Sequence, residues 1–312
     1  KLFKMVLNLF FYWCIHYLFT KDTKKGCLKV KKSWEAIAAE VFKKHFFGKF
    51  HINGEIKNSD NDKVDILISN HNSTIDFIII TTLFSQFRIT DYYFVFKKSI
   101  LKIPMFGSVL QHDIMLTRNW QNDEQLLKEQ INKIEKGIII IYPEGSRYDS
   151  KKQKDSFKFS LENKLPIYNY TLTPRVKGLH AIIKILTENK RLGDIYNMTL
   201  VLPNFINKDL YFKRLLGKDN TGDIHVFINK IKFNKSDLEY DNFKKIVYNL
   251  WFQKNILIDK FVPRKQNIIV NNINKVKKEP EINKINYPRI IYSKKIPFEN
   301  IKKITSENEK NK

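Results

Sequence analysis

Ile68-Ser69-Asn70-His71-Asn72-Ser73-Thr74-Ile75-Asp76 lies between two apolar runs. The first, Val64 to Ile68, is broken only by Asp65. It is short and rich in branched residues, the pattern of a buried strand. The second, Phe77 to Ile80, reads as the first turns of a helix, with Ser73 or Thr74 suited to its N-cap. A histidine and an aspartate therefore stand where a strand hands over to a helix. In open α/β sheets that crevice is where ligands bind. A carboxylate beside an imidazole holds it in one tautomer and stabilises its protonated form, which is the minimal unit of general-base catalysis.

Downstream, Ile138-Ile139-Ile140-Ile141-Tyr142-Pro143-Glu144-Gly145-Ser146-Arg147 repeats the plan. A buried strand again ends in a turn, and this turn carries an acid, a glycine and an arginine. Further strands are expected at Phe50–Gly54, Tyr92–Phe96, Pro166–Thr173, Met198–Leu202 and Ile224–Ile231. Helices are expected over Trp34–Phe47 and Glu124–Lys136, with a surface loop or helix at Lys151–Lys158. The fold class is α/β, a mostly parallel central sheet flanked by helices, with an N-terminal membrane-anchoring helical segment.

Met5 to Phe19 is the basis for that segment: it is mostly apolar and aromatic, interrupted by Asn8 and His16. It is shorter than the roughly 20 residues of a spanning helix, so a truncated span or an in-plane helix is expected, with Trp13 at the interface. The basic cluster Lys21, Lys24, Lys25, Lys29, Lys31 and Lys32 suits the cytoplasmic side of a membrane. The expected organisation is an anchor and amphipathic helix over 1–47, a catalytic domain over 48–262 and a basic, poorly ordered tail over 263–312.

The net charge of +24 points to an anionic partner such as a phospholipid surface or a phosphorylated substrate, although a composition loaded with Asn, Ile and Lys supplies part of it. Two cysteines, Cys14 and Cys27, support neither a disulfide framework nor a cysteine zinc site. Ser146 lacks the Gly-x-Ser-x-Gly elbow of a serine hydrolase, and no Gly-x-x-x-x-Gly-Lys phosphate loop occurs. Nucleic-acid binding would interleave aromatics with the basic residues, but here the aromatics gather in the anchor and the expected core. His45 and His51 show no partner pattern.

The spacing from His71 to Asp76 resembles the first signature of the glycerolipid acyltransferases, and Tyr142 to Arg147 resembles their third, with Tyr142 where Phe is usual. Asp113-Ile114-Met115-Leu116-Thr117-Arg118 is a looser match to the second signature, with Asp113 and Leu116 replacing the usual Gly and Phe. Lys97 matches a lysine seven residues before the proline that precedes it, here Pro104. Leu172 to Gly178 resembles the fourth signature in the acylglycerophosphate and lysocardiolipin branch, and Trp251 with a following lysine resembles that branch's closing helix. The resemblance covers roughly Ser33 to Phe261.

It implies acyl transfer from acyl-CoA to the hydroxyl of a lysophospholipid. The first acceptor is 1-acyl-sn-glycerol-3-phosphate, giving phosphatidic acid. Lysocardiolipin or lysophosphatidylinositol remodelling is the alternative within that chemistry, and a non-catalytic basic membrane- or nucleic-acid-binding protein the alternative outside it. In this scheme His71 is the base and Asp76 its orienting acid. Arg147, Arg118 and Lys97 bind the acceptor phosphate, Glu144 binds a glycerol hydroxyl, and Gly145 allows close backbone approach. Backbone N–H groups near the helix after His71 are candidates for the oxyanion. Acyl-CoA is a co-substrate; no cofactor, metal or nucleic acid is expected. The site of action is a membrane, the endoplasmic reticulum or another cytoplasm-facing one in a eukaryote.

Overall fold

In the computed structural model the described residues are 24–58, 62–102, 110, 112–117, 119–206 and 221–262. The anchor segment, Arg118 and the tail lie outside them. Among the described residues no helix is long and apolar enough to cross a membrane.

The elements in chain order are α1 (Lys24–His45), β1 (Phe50–Asn53), β2 (Val64–Ser69), α2 (Asp76–Gln86), β3 (Tyr92–Lys97), β4 (Ile114–Leu116), α3 (Trp120–Asn132), β5 (Gly137–Ile141), α4 (Ser150–Glu162), α5 (Val176–Glu188), β6 (Leu192–Val201), β7 (Ile224–Ile231) and α6 (Tyr240–Asp259). Seven strands form one sheet in the order β1-β7-β6-β2-β5-β3-β4. All neighbours pair in parallel except β6 with β7. The α/β expectation with a mostly parallel sheet is met.

β2 and β5 are buried along their whole length, as strands covered on both faces must be. Leu67, Ile138, Ile140 and Phe94 share one cluster with Phe42 of α1 and Ile79 and Phe84 of α2. Tyr92 donates from its hydroxyl to Glu35 of α1 at 2.7 Å, which ties that helix to β3. Leu127 and Ile131 of α3, Ile182 and Leu186 of α5, and Val247 and Trp251 of α6 are buried in a second layer of helices that pack on one another.

Asp65, the one charge in β2, is explained by a local irregularity. The β2–β6 register shifts between Val64 and Ile66, and the Asp65 carboxylate accepts from Asp194 N at 2.7 Å in place of a ladder partner. A Cβ on Gly193 would stand 2.1 Å from that carboxylate, so only glycine fits there.

Five elements differ from expectation: β4 and α5 were not anticipated, and three others differ in kind or extent. The run Pro166–Thr173 is not a strand. Its backbone donors go to side chains instead: Tyr170 N to Asn255 Oδ1 at 2.8 Å, Leu172 N to Glu144 Oε2 at 3.0 Å and Thr173 N to Ser156 Oγ at 2.8 Å. Strand-like composition thus lines a seam between helices. α1 begins in the lysine cluster, ten residues before Trp34, and β6 begins at Leu192, six residues before Met198. In both cases the polar start hid the element. His51, whose sequence context shows no partner pattern, has a structural place: it lies 2.8 Å from Asp223 and stacks on His225 at 4.5 Å between ring centres.

Candidate active site

β2 and β5 are adjacent and parallel, with Ile68 opposite Ile141. The turns that follow them therefore emerge at the same edge of the sheet, and His71 meets Glu144 there.

The His71 turn is fixed from three sides. Asn70 Oδ1 accepts from Leu200 N at 2.8 Å and its Nδ2 donates to Leu200 O at 2.9 Å, locking the turn onto β6. Asn72 Nδ2 donates to the same carbonyl at 2.9 Å. From the β5 side, Tyr148 N donates to His71 O at 2.8 Å, and Glu144 Oε1 accepts from His71 N at 3.1 Å. Tyr142 stacks on the imidazole, with ring centres 4.4 Å apart and planes 21° from parallel.

His71 Nδ1 lies 2.8 Å from Asp76 Oδ2. A carboxylate only accepts, so Nδ1 carries the proton and Nε2 is the basic nitrogen. Asp76 is fully buried while the His71 side chain keeps 23% of its surface, so the pair has an interior end and an accessible end. The five-residue spacing works because the chain bends back. Ser73 N donates to Asp76 Oδ2 at 2.9 Å and Ser73 Oγ donates to Asp76 Oδ1 at 2.7 Å. Ser73 Oγ also accepts from Ile75 N at 3.2 Å, which tightens the turn ahead of α2. Asp76 thus starts α2 and orients the imidazole together. Of the backbone N–H groups near the start of α2, those of Ser73 and Ile75 are bonded within this turn.

Glu144 departs from its expected role. It is 2% exposed. Its Oε1 accepts from His71 N and from Trp251 Nε1 at 3.2 Å, and its Oε2 accepts from Leu172 N. Both oxygens are occupied by protein donors, so the carboxylate holds the turn from inside rather than facing an acceptor hydroxyl. Burial pushes its pKa up to about 8 against the pull of those three donors, and Asp76 adds to the rise.

Gly145 closes a tight turn, its N–H donating to Tyr142 O at 2.9 Å. Its φ is +66°, and a Cβ would stand 3.3 Å from Arg175 Cδ. Arg147 is partly buried on the same turn, one residue before the Tyr148 N–H that bonds to His71. Lys97 is exposed at the C-terminal end of β3, one strand beyond β5. Arg118 lies outside the described residues.

A small depression of about 20 Å³, open to solvent, begins at Asn72 and Tyr148 and is walled by Leu200, Leu202, Phe205 and Ile258. It is mostly apolar and adjoins both neighbours of the His71 carbonyl.

The two asparagine clamps and the Tyr142 stack carried no recognised signal in the sequence, while Ser73 was marked as a helix cap and Lys254 as the lysine that follows Trp251. Lys254 is 1% exposed, donates to Met198 O, and stands 5.3 Å from the Trp251 ring centre.

Residues 51–184 match the family model described as Acyltransferase. The chain is 27% identical over 240 residues to the probable 1-acyl-sn-glycerol-3-phosphate acyltransferase 5 of Arabidopsis thaliana, covering 73% of this chain and 61% of that one. It is 23% identical to lysocardiolipin acyltransferase 1 of Mus musculus over 65% of this chain and 55% of that one. The chain spans about half to three-fifths of the length of the curated relatives it matches first. The 1-acyl-sn-glycerophosphate acyltransferase PlsC of Thermotoga maritima superposes with a TM-score of 0.48 at 16% identity, over 80% of this chain and 89% of that one.

Proposed function

Because this chain belongs to the glycerolipid acyltransferase family, we propose that it moves a fatty acyl chain from acyl-CoA to the free hydroxyl of 1-acyl-sn-glycerol-3-phosphate, giving phosphatidic acid. Remodelling of lysocardiolipin or lysophosphatidylinositol is the alternative acceptor reading, favoured by the likeness to lysocardiolipin acyltransferase 1. The observation that carries the proposal is the 2.8 Å contact of His71 Nδ1 with the buried Asp76, which leaves a basic Nε2 on the accessible side.

In the reaction, Nε2 takes the hydroxyl proton as the alcohol oxygen attacks the thioester carbonyl. The tetrahedral intermediate collapses, the carbon–sulfur bond breaks, and the thiolate leaves. The imidazolium returns its proton to that sulfur, so an ester and free CoA form with no net proton change. Asp76 stabilises the imidazolium between the two transfers. The thioester is already activated, so no covalent enzyme intermediate, cofactor or metal enters the scheme.

Arg147 binds the acceptor phosphate with its planar fork, and Lys97 and Arg118 add charge beside it. Glu144 holds the His71 turn from inside. The basic surface draws the protein to an anionic bilayer, the endoplasmic reticulum or another cytoplasm-facing membrane in a eukaryote.

The test is thiol release from acyl-CoA by the purified protein against a panel of lysophospholipids. Acceptor-dependent release, greatest with 1-acylglycerol-3-phosphate and lost in folded His71→Ala, is expected. Release with no acceptor in the panel, or retained turnover in His71→Ala, overturns it.

A further inference from the structure

Two carboxylates lie buried under the candidate base, Asp76 at 0% and Glu144 at 2% exposure. Asp76 faces His71. Glu144 meets three N–H donors and no acceptor, a set that suits the ionised form only, since a protonated carboxyl would leave its own hydrogen without a partner. An isolated buried charge is costly, so a cation should lie close by.

The last helix supplies one. On α6, Trp251 donates from its indole to Glu144, and three residues later Lys254 Nζ stands by the same indole. Lys254 meets acceptors only, Met198 O and Thr199 Oγ1. Donors surround the acid and acceptors surround the base, the complement expected of a charged pair. Burial pulls the Lys254 pKa down to about 7, and Glu144 resists that fall. The other charged groups near Glu144 are His71 and Asp76 across the turn, Arg147 on its own turn, and Arg175, which packs on Gly145.

The bonds of this pair reach the catalytic turn by two routes. Glu144 holds His71 N directly. Lys254 holds Met198, which pairs with Ser69 at the end of β2, two residues before His71. These α6 residues lie beyond the 51–184 segment that matches the family model.

We propose that Lys254 is a positioning residue for acyl transfer: its buried ammonium balances the Glu144 carboxylate, and that carboxylate holds the His71 turn in its working geometry. The positioning half rests on the acyl-transfer reading, while the pairing half does not.

The experiment compares the wild-type protein with Glu144→Gln, Lys254→Met and the double variant, by urea unfolding at pH 7 and by the pH profile of kcat/KM for thiol release. The double variant should unfold at a higher urea midpoint than either single variant, because no charge is left unbalanced. If Lys254→Met alone does not fold, recovery of folded protein in the double variant supports the pairing and failure to recover it overturns the pairing. Midpoint losses that simply add also overturn it. Lys254→Met should move the acid limb of the activity profile upward by about one pH unit or more. A side chain that merely fills space would lower activity evenly, so an unmoved limb overturns the positioning role. A wild-type protein with no turnover refutes acyl transfer instead, and the unfolding midpoints still decide the pairing.

Discussion

Asp76→Asn isolates charge from geometry in the candidate active site. The carboxylate accepts from His71 Nδ1 and Ser73 N on one oxygen, and from Ser73 Oγ on the other. Two donors on the first oxygen require the amide oxygen of an asparagine to sit there. The amide nitrogen then faces Ser73 Oγ, which can accept. The capping pattern and the imidazole tautomer therefore survive, and only the negative charge is lost. In the acyl-transfer scheme that charge matters when His71 becomes an imidazolium. Two unit charges about 4 Å apart interact by about 4 kcal/mol at an effective dielectric of about 20. The neutral hydrogen bond that remains offsets part of this, leaving about 3 kcal/mol on the barrier. At 1.36 kcal/mol per decade, kcat should fall roughly 10²-fold while the urea midpoint changes little. Asp76→Ala instead strands three donors, and should lower folding stability by roughly 3 kcal/mol or more. Saturating thiol-release assays paired with urea unfolding separate the two. A folded Asp76→Asn protein with kcat within threefold of wild type would refute imidazolium stabilisation by Asp76.

Arg147→Ala should raise KM for the phosphorylated acceptor at least tenfold with a smaller change in kcat; an unchanged KM means that Arg147 does not touch the phosphate. The Tyr142 hydroxyl is buried with no hydrogen-bond partner among the described residues, and burial lifts its pKa well above the usual value, with Asp76 adding to the rise. Tyr142→Phe keeps the stack on His71 and should stabilise the fold by about 1 kcal/mol with activity retained; a clear loss of stability would show that the hydroxyl is needed.

The two strand ends were readable because β2 and β5 are buried on both faces, and such strands announce themselves as unbroken apolar runs. Their adjacency was not readable, since strand order is a property of pairing between segments and of no single segment. The resemblance to known signatures pointed to His71, Asp76 and Arg147, but it carried Glu144 over with a ligand-binding role that its three internal bonds do not suit. Pro166–Thr173 has the composition of a strand and lacks the ladder, because Asn255, Glu144 and Ser156 take its N–H groups first. Trp251 and Lys254 could not be linked to His71 by spacing, since the contact depends on how α6 packs. Asn70 and Asn72 resembled ordinary turn residues, and only β6 reveals them as clamps.

The sheet order also bears on how the chain is made. β1 pairs with β7, and β2 with β6, so early strands find their neighbours only after more than a hundred further residues have been synthesised. Such distant pairing makes for slow folding and for apolar edges that stay open on the ribosome. A nascent chain reaching only Glu188 already holds His71, Asp76, Glu144 and Arg147, yet lacks the Leu200 anchor and the Trp251 bond. The turn that carries His71 therefore gains its last supports late and all together, when translation has passed α6.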